Sequence, residues 1–193
     1  MRNKLARQLT SRITAARWQR HINAVQPTTI MSDWLTNRAS LTARLMAHCD
    51  QFRVQRLFQG QSMCLRDEFA QIDLVRPQRV IEREVLLMCD EVPVVYAHTV
   101  LPRTATADEW PLFASLGSRS LGTTLFNDPL VHRGQLQFAR LHLGHPLMRK
   151  IVALNLLKEV PGFLYARRSV FTRHGAKLLV TEVFLPTMSD LQT

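Results

Sequence analysis

Val80-Ile81-Glu82-Arg83-Glu84-Val85-Leu86-Leu87-Met88-Cys89, then Asp90-Glu91-Val92, then Pro93-Val94-Val95-Tyr96-Ala97-His98-Thr99-Val100-Leu101, is the stretch that decides the fold. In its first part Ile81, Val85 and Leu87 recur at every second position or a multiple of it, the period of a β-strand with one face turned to a core. The second part is rich in Val, Tyr and Thr, which pack well on a pleated surface. A link this short between two strands predicts an antiparallel hairpin.

Working outward, residues 165–173 and 177–185 read as a second hairpin around His174-Gly175-Ala176, a short glycine-containing turn. Residues 58–65 read as a further, weaker strand. Residues 1–56 read as helical, with Ser32 or Asp33 capping a short helix that holds Trp34 and Leu35, and Ser40 capping another with Leu41, Arg44 and Leu45 at helical spacing. Thr106 and Glu109 have capping-box spacing ahead of Trp110, Leu112 and Phe113, and Gly117 suits the position that ends such a helix. Residues 147–157 read as a helix within a Pro- and Gly-broken connection, 127–162, that reads as a basic flap over a site or as an exposed link. Together these elements predict an α+β fold, a single antiparallel β-sheet with helices packed against it. The expected organisation is a basic N-terminal helical extension over residues 1–29 and one domain over residues 30–193.

Two charges interrupt the apolar strand faces. Arg83 shares its face with Ile81, Val85 and Leu87, and Glu182 shares its face with Leu178, Val180 and Phe184. A charge buried without a partner destabilises a fold by several kcal/mol. Either the two pair with each other as a structural salt bridge, or a ligand completes them. The guanidinium fork of an inward arginine suits a carboxylate. An inward glutamate suits a hydroxyl, or acts as a base if burial raises its pKa. Arg167 and Arg168 point to opposite faces, so one at most faces such a site. His98, among apolar neighbours, reads as a satisfied core histidine.

Composition narrows the classes. The 193 residues fit one domain with a sizeable core. The net charge of +10, from 25 basic and 15 acidic residues, favours anionic partners. Nucleic-acid binding would place basic and aromatic residues together on one face, whereas here the basic residues are scattered and Trp and Tyr are scarce. No apolar run approaches the ~18–20 residues of a membrane helix. Residues 1–25 carry Arg2, Lys4, Arg7, Arg12, Arg17 and Arg20 without an acid. This start resembles an organellar transit peptide, or an amphipathic surface helix with Leu5, Leu9 and Ile13 on one face that could touch anionic lipid. Cys49, Cys64 and Cys89 show no disulfide-framework or C-x-x-C spacing, which fits the cytosol. No Cys/His pair has zinc-ligand spacing, and His142 and His145 have no Cys or acidic partner near them in sequence, so no metal is expected. There is no P-loop, no G-x-G-x-x-G and no G-x-S-x-G.

At these segments the chain resembles the bacterial chorismate pyruvate-lyase family. The matching stretches are Arg83-Glu84-Val85-Leu86-Leu87, Thr99-Val100-Leu101-Pro102, and Leu116-Gly117 with Ser120-Leu121-Gly122 and Leu125-Phe126. They continue through Arg167-Arg168-Ser169, Gly175, Lys177 and Leu179-Val180-Thr181-Glu182-Val183-Phe184-Leu185-Pro186. Asp33-Trp34-Leu35 and Ser40-Leu41-Thr42 fit more loosely. The resemblance spans roughly residues 30–188, carried by the order and spacing of these motifs rather than by any one of them. It implies cofactor-free conversion of chorismate to 4-hydroxybenzoate and pyruvate, the entry step to ubiquinone. The odd cysteine count and the single compact domain make a monomer the expectation. It implies that Arg83 holds the ring carboxylate, that Glu182 stands at the 4-hydroxyl end, that the Leu121 N–H meets the carboxylate, and that Leu41 belongs to a flap over the ligand. The chain departs from the family pattern at Glu91, where glycine is frequent, at His98, where arginine is frequent, and in a long connection from Asn127 to Ala166. A non-catalytic small-acid sensor of the same general fold is the competing reading.

Overall fold

The computed structural model describes residues 15–105, 108–111, 113, 116–117 and 119–191. Seven strands form one antiparallel sheet: β1 (Phe52–Met63), β2 (Arg79–Cys89), β3 (Val92–Pro102), β4 (His132–Arg133), β5 (Gln137–Leu141), β6 (Leu164–Arg173) and β7 (Ala176–Phe184). The spatial order is β1-β2-β3-β7-β6-β4, with β5 also paired to β6. The two hairpins foreseen from the sequence are both present. Asp90 (φ 49°) and Glu91 (φ 64°) join β2 to β3, and His174 (φ 49°) and Gly175 (φ 83°) join β6 to β7. Left-handed backbone at both central residues matches the right-handed twist of the flanking strands. Glu91 occupies this conformation without being glycine, and its carboxylate meets Arg53 in two hydrogen bonds of 2.8 and 2.6 Å.

Among the described residues four helices accompany the sheet: α1 (Thr29–Thr36), α2 (Leu41–Met46), α3 (Leu121–Asn127) and α4 (Pro146–Ala153). Ser40 caps α2 as expected, accepting from the Ala43 N–H at 3.3 Å. The cap of α1 is Thr28 rather than Ser32 or Asp33, because Thr28 keeps an extended backbone just ahead of the helix and its hydroxyl accepts from the Met31 N–H. The helical region also ends earlier than residue 56: β1 starts at Phe52 and runs for 12 residues through a register shift between Arg56 and Phe58. Thr106 and Leu112 lie outside the described residues, and Trp110 and Phe113 sit in turns that pack into the core. The connection 127–166 is not a free flap. β4, β5 and α4 all come from it, and β5 adds to β6 in register Phe138↔Arg167.

The sheet is covered on both sides. On the front, Trp34, Leu35, Leu41 and Leu45 from α1 and α2 pack on Val85, Leu87, Val95 and Phe184. On the back, Leu147, Met148 and Ile151 of α4 pack on Leu86, Tyr96, Ala166 and Val183. β2 is therefore buried along both faces from Glu82 to Cys89. Of the N-terminal basic stretch, residues 15–28 hold one 3-10 turn, and Gln19 bridges Phe138 on β5; Leu5, Leu9 and Ile13 lie outside the described residues.

Candidate functional site

The front of the sheet carries a cavity beneath α2 and α3. Leu41, Arg83, Leu121 and Glu182, the residues singled out from the sequence, all line it, together with Arg133, Arg167 and Ser169. The strand register explains the arrangement. Arg83, Thr99, Val180 and Ser169 form one row across β2, β3, β7 and β6, and Val85, Ala97, Glu182 and Arg167 form the next. Arg83 and Glu182 are thus two strands and two residues apart, roughly 12 Å between Cα positions from standard sheet spacings. They do not pair with each other, which removes the salt bridge that spacing alone had left open.

Arg83 is 2% exposed. Its Nη2 donates to the carbonyls of Gly117 (3.1 Å) and Arg119 (3.0 Å), which brings the loop before α3 over the cavity. Its Nε is enclosed and has no partner among the described residues. Burial pushes this guanidinium down to about 10, and Arg56 adds to the effect. It still carries its charge at neutral pH, and a buried cation with an idle N–H is a site for an anion.

Glu182 finds its partner in Arg167, directly opposite on β6, whose Nε donates to Oε2 at 2.5 Å. Arg167 is 1% exposed and its Nη1 donates to the carbonyls of Trp34 (3.0 Å), Leu35 (3.4 Å) and Asn37 (2.8 Å). These carbonyls sit at the C-terminal end of α1, where the last carbonyls lack helical donors and the helix dipole favours a cation. The sequence pattern allows at most one of Arg167 and Arg168 to face the site. The two-residue turn His174-Gly175 fixes the register that pairs Arg167 with Glu182, so counting back from that turn was the signal that could have found it.

α2 and α3 close the cavity with their N-termini together. The Thr42 and Ser120 hydroxyls are 2.5 Å apart, and a Cβ on Gly122 would stand 2.9 Å from Thr42 Oγ1, so only glycine allows this approach. Leu121 is the first residue of α3 and its N–H has no carbonyl partner within the helix.

A second set of buried charges lies behind the sheet. His98 does not reach the cavity; it faces the back with Glu84, its neighbour in register. His98 Nε2 is 2.9 Å from Glu68, and Nδ1 is 3.5 and 3.7 Å from Glu84 and Glu82. Burial alone would lower the imidazole, but Glu68 and then Glu84 and Glu82 outweigh it and raise it to about 10. Glu82, Glu84 and His98 are close enough to share a metal ion. The cation there is instead the Lys150 ammonium, which bonds to both carboxylates, at 2.9 Å to Glu82. His145 has an acidic partner after all, one distant in sequence: its Nε2 is 3.2 Å from Asp67 while its Nδ1 accepts from the Leu147 N–H. Burial works against the Asp67 carboxylate, yet the bonds from His145, Trp18 and Ala16 bring it down to about 2.

An antiparallel sheet with an enclosed, arginine-lined cavity on one face and helices over it defines an α+β domain of a recurrent kind. Among solved structures, PhnF from Mycobacterium smegmatis superposes with a TM-score of 0.54 at 14% identity, covering 82% of this chain and 67% of that one. The C-terminal domain of the histidine utilization repressor from Pseudomonas syringae superposes with a TM-score of 0.53 at 9% identity, covering 74% and 97%. At such identities the likeness concerns the fold alone. Sequence comparison goes further. The family described as Chorismate lyase matches residues 12–192. The probable chorismate pyruvate-lyase of Cupriavidus metallidurans is 51% identical over 157 residues, which is 80% of this chain and 72% of that protein. That of Nitrosospira multiformis is 44% identical over 159 residues, covering 82% and 87%. The chain belongs to the chorismate lyase family.

Proposed function

We propose that this protein is a chorismate pyruvate-lyase, eliminating pyruvate from chorismate to give 4-hydroxybenzoate, the entry compound of ubiquinone synthesis. The observation that carries the reading is Arg83, a buried guanidinium with an unpartnered Nε, across one cavity from a carboxylate already oriented by Arg167. In this reading Arg83 and the Leu121 N–H bind the ring carboxylate, and Glu182 accepts a hydrogen bond from the C4 hydroxyl. Leu41 covers the ring from α2.

The C4–H and C3–O bonds break. The C–H electron pair becomes the third ring double bond, and the ether oxygen leaves with its own pair as enolpyruvate. The proton ends on the methylene carbon, giving pyruvate. Aromatisation drives the step, so the protein has to orient the side chain and exclude water. Because Glu182 Oε2 is taken by Arg167, we assign Glu182 as the hydroxyl anchor, with the methylene group of the side chain taking the C4 proton.

We read the enzyme as a cytosolic monomer, since its substrate and products are small water-soluble anions and the domain closes its own cavity. No helix among the described residues is long and apolar enough to cross a membrane. Contact of the basic N-terminus with anionic lipid belongs to the same reading, and flotation with and without residues 1–25 tests it. The activity test is incubation of the metal-stripped protein with chorismate. 4-Hydroxybenzoate and pyruvate appearing one to one support the lyase. No product at any enzyme concentration would sink it and favour a sensor.

A further inference from the structure

The cavity holds more positive charge than one carboxylate needs. Three guanidinium groups line it, from Arg83, Arg133 and Arg167, against the single carboxylate of Glu182. Arg167 is consumed internally by Glu182 and the end of α1. Arg83 and Arg133 remain, two cations that form no salt bridge with a carboxylate among the described residues. Arg133 sits on β4, where its pairing with Phe171 of β6 brings it over the edge of the cavity. Its Nε donates to Ser169 Oγ at 2.9 Å and its Nη1 to the Arg38 carbonyl at 2.8 Å. The rings of Phe126 and Phe171 lie 5.3 and 5.5 Å from its guanidinium carbon. No carboxylate of the described residues forms a salt bridge with it, and its Nη2 keeps donors to spare. Burial pushes it down to about 10; Glu182 pulls it back up, while Arg167 and Arg38 push it lower. This is an oriented and partly dehydrated cation held by neutral groups, the arrangement that binds an anion by charge-assisted hydrogen bonds.

We propose that Arg133 binds the enolpyruvyl carboxylate of chorismate, so that Arg83 and Arg133 divide the two charges of the dianion between them. The inference rests on the lyase reading above. It deepens that reading by naming the group that distinguishes substrate from aromatic product. The enolpyruvyl ether is carried on C3, next to the C4 hydroxyl at the Glu182 end of the ring. Arg133, on β4 beside the strand that carries Arg167, stands at that end, toward the opposite edge of the sheet from Arg83 on β2. His98 points to the back of the sheet and cannot serve. Once the C3–O bond breaks, the second carboxylate leaves with pyruvate. 4-Hydroxybenzoate then keeps its contact with Arg83 and makes none with Arg133.

The test compares Arg133→Gln and Arg133→Lys with the unaltered full chain. Chorismate turnover and the affinity for 4-hydroxybenzoate are measured separately, the latter by titration calorimetry. Loss of a charge-assisted contact is expected to lower kcat/KM for chorismate about 10–100-fold in Arg133→Gln. Lysine should recover part of that loss, and 4-hydroxybenzoate affinity should change less than about threefold. Retained product binding also shows that the variant is folded. Should Arg133→Gln fail to fold, Arg133→Lys carries the test: its loss must fall on chorismate and spare 4-hydroxybenzoate. Equal losses for both ligands, or unchanged kcat/KM, overturn the assignment while leaving an active wild-type enzyme as a lyase. A wild-type chain that does not turn over chorismate overturns both readings.

Discussion

Replacing Arg167 by methionine tests how the site is tied into the fold. The side chain is 1% exposed and satisfies one carboxylate and three carbonyls. Removing one partner of a buried ion pair typically costs ~3–5 kcal/mol. The Glu182 side chain keeps 15% exposure, so the lower end of that range applies. Leaving the carbonyls of Trp34, Leu35 and Asn37 without their donor adds about 1–2 kcal/mol once water reaches some of them. Methionine recovers part of the packing against the Phe184 ring, which lies 5.7 Å from the guanidinium carbon. The expected net loss is roughly 3–4 kcal/mol, a large share of the ~5–15 kcal/mol that holds a domain together. Urea unfolding followed by tryptophan fluorescence should show the midpoint falling by roughly 2 M. A double-mutant cycle with Glu182→Gln isolates the pair, with coupling of about 2–3 kcal/mol expected. A total loss below ~1.5 kcal/mol, or additive single changes, would refute the reasoning that Arg167 organises both Glu182 and the end of α1.

Three further outcomes follow. Arg83→Ala should weaken chorismate and 4-hydroxybenzoate alike, by about 100-fold in calorimetry, since both carry the ring carboxylate; unchanged binding would make Arg83 a structural residue only. Glu182→Gln should lose binding and turnover in equal measure if the residue is an anchor, whereas turnover falling far below binding would identify a base. The folded His98 has its pKa raised from 6.5 to about 10, so its stabilising contribution is whole below pH 6.5 and disappears as pH rises through about 10. Urea midpoints should therefore fall between pH 7 and 10, and fall less steeply in His98→Gln; identical slopes would contradict the Glu68–His98 pair.

The two hairpins could be read from the chain because their turns are short and their strand faces alternate. Arg83 and Glu182 stood out because a charge on an apolar face is rare in a strand. What could not be read follows from the sheet's depth. β2 is covered on both sides, so Glu82 and Glu84, on the face opposite Arg83, are buried with His98. β5 belongs to the sheet although Gln137–Leu141 is short and carries Arg140, because its register with β6 rather than its own pattern holds it there. Arg133 was hidden for the same reason: within a basic connection no single arginine is distinctive until β4 brings one of them to the cavity.

β2 carries a cation at Arg83 to one side of the sheet and anions at Glu82 and Glu84 to the other. The sheet is therefore a partition whose two compartments have opposite sign, written in three consecutive residues. Gaining or losing a single residue upstream in this strand would exchange the sides. Two carboxylates would enter the arginine-lined cavity, and a guanidinium would displace the glutamates that hold Lys150 and His98. Mispairing by one step is thus rejected twice, once in each compartment. On this account, added length is tolerated best in connections such as 127–166, whose strands β4 and β5 join the sheet through β6 and leave the sign of the partition untouched.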